Sequence, residues 1–243
     1  MTKRILVTTV GVFSLALACT ANAEIKWVGG ASTDVFDEAN WDLRGSSVTA
    51  IDENVTITDD VRIGPGPFAH DAQIPDLAGQ VRLQIADGNR LTIDGSIISP
   101  VGNDGVGGEP GGDADPSNDG VTGPIVDVIN GGQFNPFFIV NDVRLNIDGT
   151  SSATFGGGGN PINLSSIYME PGAVLSFLAE TPDAFTTEHL AKVFVGGAAA
   201  VDGVNIMLAS DGGSGSVITA VPEPAFSVLP LIAAIALVFR KRR

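Results

Sequence analysis

Cysteine and histidine are nearly missing from this sequence of 243 residues. The single cysteine, Cys19, lies in an N-terminal segment that we expect to be removed. The remaining chain would then have no disulfide, no thiol nucleophile and no thiolate ligand. The two histidines, His70 and His189, are far apart, and neither has a second histidine at a metal-ligand spacing. We therefore predict no metal centre and no catalytic role for either histidine.

Recognisable catalytic motifs are also missing. The sequence contains no nucleophile elbow, no P-loop and no dinucleotide fingerprint. Glycoside hydrolysis needs only two carboxylates, so the 28 acidic residues keep an enzyme acting on surface polysaccharide open as the least favoured alternative. We predict that the protein is not an enzyme, that it has no catalytic residues and that it needs no cofactor.

Basic residues are scarce between Glu24 and Pro224. This part of the chain has 7 of them against all 28 acidic residues, so its net charge is −21, compared with −15 for the whole sequence. Such a surface repels nucleic acid and anionic membranes, and we expect no nucleic-acid partner. A chain of about 200 residues can bury a core as one domain. We predict one exported domain at residues 24–220.

The N-terminus has the three parts of a secretory signal peptide, which are a positive start, an apolar run and a small-x-small cleavage site. These parts are Lys3 and Arg4, the run 5–18, and Ala21 and Ala23 around Asn22. We expect signal peptidase to remove residues 1–23, so that the exported chain begins at Glu24.

The C-terminal segment 221–243 also has three parts, which are a proline-containing motif, an apolar run and a basic cluster. They are Val221, Pro222, Glu223 and Pro224, then the hydrophobic segment 225–239, then Arg240, Lys241, Arg242 and Arg243. As a helix the apolar run would be about 22 Å long, against a bilayer core of about 30 Å. It therefore predicts a short transmembrane helix that suits a temporary anchor. The basic end should stay cytoplasmic, which places the body outside.

This tail resembles the PEP-CTERM sorting signal of Gram-negative bacteria, with all three parts in the family's order at the extreme C-terminus. The resemblance implies recognition by an exosortase, a membrane protease that cuts near the motif and releases or transfers its substrate to the cell surface. The partners implied are signal peptidase, exosortase and, transiently, the inner membrane. The final location implied is the cell surface or the extracellular matrix.

Short alternating runs and glycine-containing turns predict an all-β body. The best internal repeat pairs residues 81–95 with 143–157, and it puts Arg82 and Arg144 at matching positions, where we expect both to point outward. Stacked short strands with one inward apolar face favour a parallel β-solenoid, or β-helix. The alternative is an antiparallel β-sandwich in which each Asp-Gly pair is a hairpin turn.

Trp27 and Trp41 are the only two tryptophans in the chain. Their segment, 24–44, resembles the opening of bacterial surface proteins with autotransporter-like or β-helical bodies. We expect the two rings to cap the open end of a sheet stack. The alternative is a platform on which a carbohydrate stacks.

The segment 99–123 is acidic and glycine-rich, and it predicts a long loop because it has almost no large apolar residue. Asp113, Asp115 and Asp119 keep calcium open as an alternative ligand. The EF-hand pattern fails, however. A loop that starts at Asp115 has Val126 at the position where the bidentate glutamate is required.

The end of the body carries a helix signature. Thr181 and Pro182 predict the N-cap and the first residue of a short helix. Residues 187–192 are also predicted to be helical, and residues 204–208 and 217–219 are predicted as the last strands.

These features together predict an exported, exosortase-processed surface or matrix protein with a structural or adhesive role. A carbohydrate- or calcium-binding surface module is the alternative, and surface polysaccharide would then be a further partner.

Overall fold

The computed structural model describes residues 24–29, 31–44, 51, 56–57, 60–64, 72–74, 82–100, 103–108 and 123–222. These residues form twenty-one short strands, one α-helix and two 3-10 helices. The strands are β1 (Glu24–Trp27), β2 (Trp41–Asp42), β3 (Thr56–Ile57), β4 (Asp60–Ile63), β5 (Ala72–Ile74), β6 (Arg82–Ile85), β7 (Arg90–Asp94), β8 (Ile97–Pro100), β9 (Gly105–Gly107), β10 (Ile125–Ile129), β11 (Gln133–Phe134), β12 (Phe138–Val140), β13 (Arg144–Ile147), β14 (Ser152–Phe155), β15 (Ile162–Asn163), β16 (Ser166–Met169), β17 (Val174–Phe177), β18 (Val193–Val195), β19 (Ala198–Ala199), β20 (Ile206–Ser210) and β21 (Ser216–Ala220). The α-helix is α1 (Pro182–Glu188), and the 3-10 helices are Glu38–Asn40 and Leu190–Lys192. The predicted all-β class is confirmed.

Three sheets contain these strands. Sheet A has the order β19-β18-β16-β13-β10-β7-β4-β1-β2, sheet B the order β20-β21-β17-β14-β11-β8-β5, and sheet C the order β15-β12-β9-β6-β3. From β4 to β17, successive strands enter sheets A, B and C in turn, and we call one such passage a rung. Within the described residues, four rungs are complete: β4-β5-β6, β7-β8-β9, β10-β11-β12 and β13-β14-β15.

Strands of successive rungs pair in parallel, and antiparallel pairs occur only at the ends of the sheets described. The Asp-Gly turns that the sandwich alternative uses as hairpins instead join strands of different sheets. Asp94-Gly95, for example, lies between β7 of sheet A and β8 of sheet B. The hairpin interpretation of these turns is therefore wrong.

One in-register row of side chains shows how the core forms. Alternate residues along a strand point to opposite faces, so the same position in each sheet A strand faces the interior. The members of this row are at most 1 % exposed: Ile25, Val61, Leu91, Val126, Leu145, Ile167 and Val193. Each such side chain stabilises the fold by about 1.5–3 kcal/mol through burial.

The corners between sheets A and B are held by polar contacts between rungs. Asn130 has a positive φ of 57°, which asparagine tolerates, and its side chain donates to Asp94 Oδ1 at 2.8 Å. Its backbone N–H donates to Asp148 Oδ2 at 2.7 Å. Arg62 Nη1 donates to Asp94 Oδ2 at 3.1 Å. The residues of the predicted turns thus tie neighbouring rungs together.

The predicted equivalence of Arg82 and Arg144 is wrong. Arg82 lies in β6 of sheet C, whereas Arg144 lies in β13 of sheet A. Ile125 of β10 pairs with Arg144 on one side and with Arg90 on the other, so Arg90 occupies the matching position. The sequence likeness arises because the apolar alternation is the same in every sheet.

The N-terminal end of the stack is closed by tryptophan, as predicted. Strand β2 is the terminal strand of sheet A, and it places Trp41 opposite Trp27 of β1. The two rings meet edge to face with centroids 5.0 Å apart, and the residues are 6 % and 7 % exposed. Trp41 Nε1 donates to the carbonyl of Val35 at 2.7 Å. Because both rings are buried, the carbohydrate-platform alternative is wrong for this pair.

The C-terminal end is closed by α1. The Thr181 hydroxyl accepts from the N–H of Ala184 at 3.3 Å, and Pro182 is the first helical residue, as predicted. Phe185 and His189 of this segment are buried against Phe177 of β17. The predicted last strands correspond to β20 and β21, which form an antiparallel pair.

No helix within the described part of the chain is long and apolar enough to cross a membrane. The predicted signal peptide, 1–23, and the predicted hydrophobic segment, 225–239, lie outside the described residues.

Candidate functional site

The outward face of sheet A carries an in-register row of polar and aromatic side chains. We call it the outer row, and its members are Thr92, Asp127, Asn146, Tyr168 and Phe194. Along each strand these residues alternate with the core-facing ones, so they all lie on the outer face. The parallel, in-register pairing of the strands then places them side by side. They come from β7, β10, β13, β16 and β18, which are spread over about a hundred residues of sequence.

Hydrogen bonds fix the polar half of the outer row. Asn146 Nδ2 donates to Asp127 Oδ1 at 2.7 Å. Arg90 Nη1 donates to the other carboxylate oxygen of Asp127 and forms an ion pair with it. Arg144 Nε donates to Asn146 Oδ1 at 3.0 Å. The amide of Asn146 thus has a donor on one side and an acceptor on the other, which sets its orientation.

Aromatic contacts fix the other half. The guanidinium carbon of Arg144 lies 4.0 Å from the Tyr168 ring centroid, in a cation–π contact. The Phe194 ring stacks on Tyr168 with centroids 4.8 Å apart and planes 14° apart. Both groups could not fit on one face of the ring at these distances, so they cover opposite faces. The edge and hydroxyl of Tyr168 are therefore the parts that a ligand can meet.

A cleft of about 520 Å³ opens beside the outer row. Asp127, Asn146 and Tyr168 line it together with Asp148 and Glu170 from the ends of β13 and β16. Gly196 and Gly197 form part of another wall, in the turn between β18 and β19 where both have a positive φ. Its volume lies in the range of small-molecule binding sites.

Acidic groups dominate the charge of the cleft. Partial burial raises the pKa of Asp148, but hydrogen bonds from Ser151, from the Asn130 N–H and from Thr150 outweigh this effect and lower it overall. Asp148 is therefore ionised at neutral pH. With Asp127 and Glu170 beside it and Arg144 as the lining cation, the cleft suits a neutral hydroxyl-rich or a cationic ligand better than an anion.

The residues predicted from the sequence do not meet at this cleft. Of the sorting motif, Val221 donates its N–H to the carbonyl of Asn205 at 2.9 Å, and Pro222 is exposed just after β21. The other predicted processing residues lie outside the described part of the chain: Glu223, Pro224, Arg240, Lys241, Arg242, Arg243, Ala21 and Ala23. So do Asp113, Asp115, Asp119 and His70.

His189, for which the sequence predicted no metal role, is buried at the C-terminal end of the stack. Glu180 and Glu188 lie beside it. The histidine-spacing rule could not find this group, because two of the three side chains are glutamates.

Sequence reasoning also missed Asp127, Asn146, Tyr168 and Phe194. Asp127, Asn146 and Tyr168 each occupy the second outward position of their strand, and Phe194 is the single outward residue of β18. This alternation of apolar and polar residues was the sequence signal from which the outer row could have been predicted. Using it required the alignment of strands that start 19 to 35 residues apart.

Comparison with known proteins gives no match to a protein-family model, to a curated protein or to a solved structure.

Proposed function

We propose that this chain is an exported cell-surface or matrix protein with a structural or adhesive role, and that its body is a parallel β-solenoid. The observation that carries the proposal is the repeated passage through sheets A, B and C with parallel, in-register pairing between rungs. A stack of this kind gains a continuous core from short strands and presents long, rigid lateral faces.

The closed ends of the stack support a role in display. Sheet A ends in the two-residue strands β2 and β19, which pair antiparallel with their neighbours. Short terminal strands limit edge-to-edge pairing with other sheets. The lateral faces are then the surfaces available to partners.

Sorting is assigned to the two ends of the sequence. Signal peptidase would cleave after Ala23, and the segment 225–239 would hold the chain in the inner membrane as a short helix. Exosortase would then act at Val221–Pro224 and transfer the body to the surface. The support is the order of the motif, the apolar run and the basic cluster, together with the leader.

The test is expression in a bacterium that makes an exosortase, followed by intact-mass measurement and N-terminal sequencing of the surface-released protein. We expect a chain that begins at Glu24 and lacks the hydrophobic segment. A triple Pro222→Ala, Glu223→Ala, Pro224→Ala variant should stay in the membrane fraction. A species in the outer fraction that still carries Arg243 would overturn the sorting proposal.

A second candidate is a carbohydrate-binding module, favoured by the mixed aromatic and hydrogen-bonding lining of the cleft. Neutral surface polysaccharide fits the acidic lining better than a polyanion does. Affinity electrophoresis with neutral polysaccharides should show retardation that Tyr168→Ala and Asn146→Ala remove and the exposed control Met207→Ala keeps. Equal mobility of all four proteins would eliminate this candidate. The calcium alternative concerns the acidic segment 99–123 and is tested separately by calorimetry.

A further inference from the structure

A buried histidine at the C-terminal end of the stack lacks hydrogen-bond partners within the part of the chain that the structure describes. His189 is 1 % exposed, and neither Nδ1 nor Nε2 has a partner among the described residues. Its ring stacks on Phe177, with centroids 5.4 Å apart and planes 9° apart, so packing fixes the directions of both nitrogens. Buried polar atoms are normally paired, and an unpaired one calls for an explanation.

Two carboxylates lie beside this imidazole. Glu180 is 4 % exposed, and its Oε1 lies 3.8 Å from His189 Nε2, which is too long for a hydrogen bond. Glu188 is the last residue of α1 and is exposed. One ligand atom from each of the three side chains lies within 4.8 Å of the other two.

The charges of this group favour a cation. The carboxylates of Glu180 and Glu188 carry negative charge, and the imidazole of His189 adds a nitrogen donor within 4.8 Å of their oxygens. Two carboxylates beside one imidazole complement a divalent ion.

We propose that His189 Nε2 and the carboxylates of Glu180 and Glu188 bind a divalent transition-metal ion of the zinc class. Imidazole nitrogen with carboxylate oxygen is a donor set that suits zinc, whereas calcium takes oxygen ligands only. Zinc bonds of about 2.1 Å place tetrahedral ligand atoms about 3.4 Å apart. His189 and Glu180 are already near this separation. The exposed Glu188 can complete the site by a change of rotamer, and water can take the fourth position.

The test is calorimetric titration of Zn²⁺ into the full-length chain, purified in mild detergent and stripped with EDTA. We expect one equivalent to bind and the melting temperature to rise. Glu188→Gln should weaken zinc binding at least about tenfold, and His189→Gln should abolish it. Glu188 is exposed, so its variant should keep the fold, which circular dichroism checks.

Asp183→Asn is the matched control, since it removes one carboxylate from the same helix and leaves the three proposed ligands intact. It should bind zinc like the parent chain. Failure of the parent chain to bind zinc would overturn the proposal. So would zinc binding that Glu188→Gln and His189→Gln leave unchanged, because the ion would then lie elsewhere, for instance at His70. Calcium binding that needs Glu188 and is insensitive to His189→Gln would also overturn it.

Discussion

The two ends of the stack are closed by different chemistry. At the N-terminal end, Trp27 and Trp41 pack edge to face, and the buried Asn40 uses its amide for four hydrogen bonds within the loop before β2. At the C-terminal end, α1 covers the core with Phe185 and with the unpartnered imidazole of His189. The N-terminal end leaves one buried polar atom without a partner among the described residues, Trp27 Nε1.

This difference separates a cap from a candidate site. A side chain whose polar atoms are nearly all satisfied by its own neighbours has no capacity left for a ligand. The C-terminal end holds two imidazole nitrogens that have no partner among the described residues, together with two carboxylates in one small volume. This arrangement is costly unless another group joins them. We therefore regard the N-terminal end as structural and the C-terminal end as structural with the proposed metal site added.

Removing the main aromatic ring at each end should give the largest effects. Trp41→Ala and Phe185→Ala should each destabilise the protein by about 3–5 kcal/mol, because each leaves a cavity in the core. Since each rung contacts only its neighbours, the losses should be local. Hydrogen exchange should accelerate in β1 and β4 for the first variant, and in β16 and β17 for the second.

Met207→Ala is the control for both variants, since Met207 is 63 % exposed and its loss should change stability by no more than about 0.5 kcal/mol. If either variant accelerated hydrogen exchange uniformly over the whole body, the prediction that the two ends unfold independently would be contradicted. The stack would then unfold as a single unit.

The two ends also differ in how well the sequence predicted them. The tryptophan cap and the N-cap of α1 follow from local features, such as two bulky rings in one segment and a Thr-Pro pair. The rung register does not follow in the same way. The sheet A strands that begin at Arg90, Ile125, Arg144 and Ser166 are 35, 19 and 22 residues apart. An irregular spacing hides the alignment, which is why Arg82 was paired with Arg144 in place of Arg90.

The group at His189 escaped prediction for a related reason. Glu180, Glu188 and His189 lie close in sequence but resemble ordinary helix-end charges. What distinguishes them is burial against Phe177, which depends on α1 replacing the sheet C strand after β17. Burial of this kind is a tertiary property that a single sequence does not reveal.

Polar substitutions at the two ends should differ in their effect on the stability of EDTA-treated protein. Asn40→Ala should cost about 2 kcal/mol, because the N–H groups of Ala31 and Ser32 lose their acceptor. His189→Phe should leave stability unchanged or raise it by up to about 1 kcal/mol, since it replaces unpartnered nitrogens and keeps the stack on Phe177. Urea denaturation measures both. A comparable loss in the His189→Phe variant would mean that the imidazole has an internal partner after all.

The smallest effect is expected from the exposed ion pair at the N-terminal end. Arg44 donates to the carboxylate of Asp42 through Nε at 2.7 Å, and this hydrogen bond is the main reason why the pKa of Asp42 is lowered to about 2. A lowered pKa stabilises the folded state above the ordinary value of 3.8, and this contribution disappears as the pH falls through about 2. Arg44→Gln should return the pKa of Asp42 towards 3.8, which a carbon-detected NMR titration of the carboxyl group measures. The change in stability at neutral pH should be slight, because the guanidinium of Arg44 is in solvent. A pKa that stays near 2 in the variant would show that Lys26 or the fold itself holds the charge, and that electrostatics contribute to closing the N-terminal end as well.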